Sequence, residues 1–308
     1  MIGKKKYKFN DILDEWLLVQ KYHIKESTYV IYYGHIHNHI NPYFQNYLLK
    51  EINQEVIQKF VVDKLNHGRI KDATPLSVKT VKELINVIKL CLNYCIEKGY
   101  IDHVYIHVKY PKVNKQMHIL NQNEYYTLVN YLKNDPNYYN MGILLILCTG
   151  IRIGELCALK NNDIDLNKKE LSINKTLQRI TDIENKKTKI IISSTKTKKS
   201  ARVIPIPDVL IPYLIVEYND DYFLTQSLKY CEPRRFRYKF KSILKTLNIS
   251  DVTVHSLRHY FATQCIELGF DYNCLSEVLG HASPSTTMNL YVHCQNKHKK
   301  DCMNRIHI

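Results

Sequence analysis

Apolar positions recur at helical spacing along the first hundred residues. In FNDILDEWLLVQKY they fall three and four apart, which predicts an amphipathic helix with Asn10 or Asp11 placed to cap it. Ser27 and Thr28 predict the opening of a second helix, running to the Asn41-Pro42 break. QEVIQKFVVDKL and LSVKTVKELINVIKLCLNYCIEKG predict two more, with Gly68 and Gly99 where C-caps fall. The period lapses from 100 to 117, where YIDHVYIHVKYPKVNKQM holds Pro111 among lysines, and an extended basic linker is expected. Beyond it, LNQNEYYTLVNYL predicts a helix capped by Asn121. YYNMGILLILCTG predicts a helix that stops at Gly150, and GELCALK predicts another. The pattern then changes: ELSINKTL, KTKIIIS and ARVIPIP are short, rich in β-branched residues and joined by Lys/Asn/Ser turns, which predicts a small antiparallel sheet. Helices resume from Pro233. The expected class is mainly α, with α+β character in the second domain. A helical domain spans 1–99, a linker 100–117, and a domain of helices with a small sheet 118–308.

Composition adds a partner and removes some alternatives. The 308 residues suffice for two hydrophobic cores. Lys and Arg outnumber Asp and Glu by 44 to 29, a net charge of +15 that suits a polyanion, because basic side chains displace phosphate counterions. A solubility bias would give the same charge, so it counts as support only. No apolar run reaches the ~18 residues of a membrane span, and no cleavage site follows the basic first residues, so an intracellular, cytoplasmic protein is expected. Nine cysteines, an odd number scattered through helical segments, fit a reducing compartment better than a disulfide framework. Cys91 and Cys95 lack a second pair at metal spacing, His35, His37 and His39 splay over different helix faces, and Cys294, His298 and Cys302 lack a fourth ligand. No metal and no cofactor is expected.

Four segments of the second domain carry the unusual polar residues. In TGIRIGELCALK, Thr149-Gly150 breaks one helix and Arg152 stands at the start of the next, a good phosphate site; Glu155, one turn on, either orients Arg152 or caps the helix. STKTKKSARVIPI is a turn carrying Lys196, Lys198 and Lys199, which is either a solvated tip or a group reaching a DNA groove. In VHSLRHYFAT, His255 and Arg258 are three apart and share a helix face, while His259 falls off it toward a packing contact. In LGHASPSTTMNLYVH, His281 follows Gly280 and Tyr291 comes ten positions later. Together these residues suit phosphoryl transfer from DNA without a metal. Arginines and a histidine neutralise the phosphate oxygens, a tyrosine attacks, and a lysine or histidine protonates the leaving oxygen. The absence of an Asp/Glu cluster weighs against a two-metal nuclease.

In the order and spacing of these four boxes the chain resembles the tyrosine recombinase (phage integrase) family, with HSLRH as its His-x-x-Arg box. The resemblance implies a site-specific recombinase acting through a Holliday junction, with Tyr291 as the nucleophile that forms a 3′-phosphotyrosine. It implies Arg152, Arg258 and His281 on the scissile phosphate, His255 in acid/base or phosphate contact, and Glu155 in support. Lys196 is implied as the acid for the 5′ hydroxyl, with Lys198 and Lys199 still open. No departure appears at the six catalytic positions. The first domain, including HIHNHINPYF, resembles the family's core-binding domain more loosely. The implied partner is double-stranded DNA carrying recombination sites, held by a homotetramer that is a monomer or weak dimer when free. The residues before Lys8 are too few for an arm-binding domain, and the 17 residues after Tyr291 are expected to dock on another subunit. Two rival readings are a type IB topoisomerase-like nicking-closing enzyme and a non-catalytic DNA-binding regulator.

Overall fold

The computed structural model describes residues 7–112, 118–194 and 201–280. The chain divides into two compact units. The first comprises residues up to 115 with the hairpin tip 180–187, and the second comprises the rest.

The first unit is helical. Helix α1 (Phe9–Gln20) begins ahead of the predicted caps. Lys8 holds the N-cap position without a side-chain cap, because the entering chain is pinned elsewhere: Phe9 N–H donates to Tyr47 O at 3.1 Å, and Lys8 bridges Leu48. Helix α2 (Glu26–His35) begins one residue before Ser27 and passes through a π-helical turn, Ile36–Ile40, into the short α3 (Asn41–Phe44). Pro42 therefore does not break the chain. It sits in the first turn of α3, where its missing N–H is not needed. Helix α4 (Gln54–His67) is capped by Asn53 Oδ1, which accepts from the Glu55 and Val56 amides at 3.0 Å each. Helix α5 (Val78–Glu97) is capped by Ser77.

Gly99 takes the left-handed φ of +70° expected after a helix, whereas Gly68 closes α4 in right-handed geometry. Gly68 is instead a matter of space, since a Cβ there would come within 2.6 Å of the Leu76 side chain. Phe9, Phe44 and Phe60 stack edgewise or tilted at the centre of this core, with Trp16, Leu84 and Ile88 around them. The segment 100–112 has no regular structure, as predicted, but it is docked. Gln54 clasps the His107 backbone at both N–H and C=O, Gln58 does the same at Lys109, and Ile106, Val108 and Tyr110 lie against the core.

The second unit is built around α7 (Tyr138–Thr149), which is buried on nearly every side. Its all-apolar run, lacking an amphipathic stripe, is what a central helix requires. Around it pack α6 (Gln122–Asn134), α8 (Ile153–Ala158), α9 (Pro233–Thr246) and α10 (Val254–Glu267), and α11 (Tyr272–Leu279) follows α10. Asn121 caps α6 as predicted, with Glu124 reaching back to its amide at 2.8 Å. The single predicted sheet is two. Strand β1 (Ile164–Asp165), unforeseen in the sequence, pairs antiparallel with β2 (Glu170–Ile173), and β2 pairs antiparallel with β5 (Arg202–Pro205), Leu171 facing Ile204. Strands β3 (Lys175–Asp182) and β4 (Lys187–Ser194) pair separately. ELSINKTL is therefore interrupted at Asn174, which allows β2 to bury Leu171 and Ile173 in the core while β3 departs into the hairpin. Among the described residues no helix is long and apolar enough to cross a membrane, and no His/Cys/Asp/Glu group could hold a metal.

Candidate functional site

Helix α7 ends at Gly150, whose φ of +65° and N–H bond to Ile146 O at 2.9 Å turn the chain sharply. That turn delivers Arg152 to the N-cap position of α8 in extended geometry. The alternatives for Glu155 resolve into both: Oε2 accepts the Arg152 amide at 2.8 Å, and Oε1 accepts Arg152 Nη1 at 2.8 Å. The Glu155 side chain is only 2% exposed, against 39% for Arg152. Burial pushes the Glu155 carboxyl up, but the hydrogen bonds and charge of Arg202, with the charge of Arg152, outweigh it and hold the group below its ordinary range.

Arg258 rises from α10, which Thr253 caps by accepting the Ser256 amide at 3.1 Å. The residue is buried, and its guanidinium bridges two backbone carbonyls, Gly150 O at 2.5 Å and Leu279 O at 2.8 Å. Arg152 Nη2 donates to Gly280 O at 2.8 Å, and Arg202 Nε donates to Val278 O at 2.7 Å. Three guanidiniums thus serve three consecutive carbonyls at the end of α11, where helix geometry leaves acceptors unpaired. Gly280 ends that helix at φ +61°. Three arginines against one glutamate leave a net positive cluster suited to a phosphate, with Arg152 its most exposed member.

Of the residues singled out in the sequence, Arg152, Glu155 and Arg258 come together around the Gly150 turn and the end of α11. His255 is exposed on α10, and its ring meets that of His259 edge-on at 4.5 Å. His259 therefore does not fall off the face of His255 as predicted: four residues apart, the two rings meet on one side of α10, and burial with the Arg258 charge holds the His259 pKa below its ordinary value. Lys196, Lys198, Lys199, His281 and Tyr291 lie outside the described residues, as do Cys294, His298 and Cys302. Arg202 is the site residue that sequence reasoning passed over. It closes the Lys-Thr-x-x-Ser-x-Arg run that Lys196 opens, and that place at the entry to VIPI was its signal.

The mainly helical fold and the basic cluster at the end of α11 suit a protein that handles phosphate, and its relatives give the class. The Phage integrase family matches residues 118–298, and its N-terminal SAM-like domain matches residues 8–65. A XerC-like tyrosine recombinase of Caldanaerobacter subterraneus subsp. tengcongensis is 30% identical, covering 95% of this chain and 81% of its own. The integrase of Staphylococcus phage L54a is 27% identical over 94% of this chain and 89% of its own. The chain belongs to the phage integrase family, the tyrosine recombinases. The fold agrees: the Tn1549 transposon integrase in complex with a circular intermediate DNA superposes with a TM-score of 0.78 at 17% identity, covering 98% and 99% of the two chains. A lambda integrase tetramer bound to a Holliday junction gives 0.63 at 17% identity, over 93% and 78%.

Proposed function

We propose that this tyrosine recombinase cuts DNA at specific sites by attack of the Tyr291 hydroxyl on the scissile phosphorus and exchanges strands through a Holliday junction. The P–O5′ bond breaks as the P–Oη bond forms and the Tyr291 proton passes to His255 or to water, leaving a 3′-phosphotyrosine that the incoming 5′ hydroxyl later reverses. Lys196, or Lys198 or Lys199 beside it, protonates the departing 5′ oxygen. Arg152, Arg258 and His281 neutralise the non-bridging oxygens, and His255 assists in proton transfer or phosphate contact. The observation that carries this reading is the convergence of Arg152 and Arg258 on the end of α11, one residue before His281 in the chain. The exposed face of α9, with Arg234, Arg235, Arg237, Lys239, Lys241 and Lys245, offers a backbone-binding surface for the duplex.

The working form is a homotetramer on two synapsed duplexes, monomeric or weakly dimeric when free, in the cytoplasm and on DNA. The domains are a DNA-clamping unit over 1–99, a linker over 100–117 and the catalytic unit over 118–308. The test uses a duplex that the protein selects from a random-sequence pool, nicked so that cleavage traps the intermediate. Wild type should form a protease-sensitive covalent adduct and Tyr291→Phe none, while both bind the duplex. Absence of a wild-type adduct overturns the reading.

A further inference from the structure

Arg202 lies deeper than Arg152 and is about as buried as Arg258. Its side chain is 7% exposed, and its guanidinium reaches two elements far apart in sequence. Nη1 and Nη2 grip Glu155 Oε1 and Oε2 at 3.1 and 3.0 Å in a forked pair, while Nε holds Val278 O at 2.7 Å. Glu155 is thereby fully used: each oxygen takes one bond from Arg202 and one from Arg152. The guanidinium also packs on Gly280, where a Cβ would lie 2.9 Å from Nη1 and 3.2 Å from Cδ. Arg202 itself is fixed at the head of β5, where it faces Ile173 of β2.

We infer that Arg202 is a positioning residue that sets the Arg152–Glu155 pair and the end of α11 in one register, so that Arg152 meets the scissile phosphate already oriented. The inference rests on the proposed strand-cleavage activity and adds a residue to it. A plain structural ion pair would need only Glu155 and Arg202. Here the same carboxylate also holds the more exposed arginine, and the same guanidinium holds the helix end that leads into His281. Lysine at this position would carry the charge but, as a point donor, could not span Glu155 and Val278 O together.

The test compares full-length wild type, Arg202→Gln, Arg202→Lys, Glu155→Gln and the double variant Arg202→Gln/Glu155→Gln. Each is measured for affinity to the selected duplex, thermal unfolding and single-turnover cleavage of its nicked form. Arg202→Gln should bind DNA within about 3-fold of wild type yet cleave roughly 100-fold more slowly, the scale of an ångström-level misplacement. Arg202→Lys should recover only part of that loss. The double variant should be no slower than the worse single variant to within about 2-fold, because both changes break one shared contact. Wild-type cleavage by Arg202→Gln, losses that multiply in the double variant, or parallel loss of binding and cleavage would overturn the inference. Should Arg202→Gln not fold, Arg202→Lys carries the same comparison of binding against cleavage. A wild type without adduct overturns the underlying activity, whereas a competent wild type with an unimpaired Arg202→Gln overturns the inference alone.

Discussion

Replacing Gly150 with alanine should destabilise the second unit through two separable effects. The residue sits at φ +65°, where an L side chain costs about 1–2 kcal/mol. Its Cβ would also lie 2.4 Å from Phe261 Cδ1 and 2.7 Å from Leu279 Cδ2. Leu279 is fully buried and both side chains belong to one small cluster, so relief requires repacking at about 1–3 kcal/mol. The sum is about 2–5 kcal/mol, which for a unit of this size lowers the midpoint of its thermal transition by roughly 4–20 °C. Gly269 supplies the control. It lies in the same unit at φ +86°, and a Cβ there would meet nothing within 4 Å, so Gly269→Ala should show the backbone cost alone. Calorimetry of wild type and the two variants reads both. If Gly150→Ala unfolds no earlier than Gly269→Ala, the packing of α10 and α11 against the Gly150 turn is wrong.

Two further outcomes follow from the buried charges. Glu155→Ala strands Arg202 without its carboxylate and should cost about 3–5 kcal/mol in urea unfolding; a loss below about 1 kcal/mol would mean the pair is solvated. Burial, before any charge effect, holds the His35, His39 and His259 rings below their ordinary 6.5. The unfolded chain then takes up protons that the folded one refuses, so stability should be full above pH 6.5 and fall as the pH drops below it. Glu155, held below its ordinary 4.5, extends the decline at lower pH. Urea midpoints at about pH 7.5 and about pH 5.5 check the sign, and equal or higher stability at the lower pH would contradict it.

Local signals in the sequence were reliable where the cause is local. Asn121 before α6 and the Gly150 stop both depend on residues within a few positions of each other. The Arg152–Glu155 pair was legible for the same reason, being three apart on one turn. The start of α1 was not, because it is set by backbone bonds to Tyr47 and Leu48, far along the chain. The split of ELSINKTL was equally hidden, since the partner that selects β2 is β5, beyond an intervening hairpin. Arg202 was missed on the same grounds: its partners at 155 and 278 are adjacent only once the sheet and α11 are in place.

The central claim concerns one oxygen among 24 tyrosines. Mass spectrometry of the trypsin-digested covalent adduct locates the attachment directly. The account predicts a 3′-phosphate of the cut strand on Tyr291. A DNA fragment on another tyrosine, or joined through a 5′ phosphate, would contradict it.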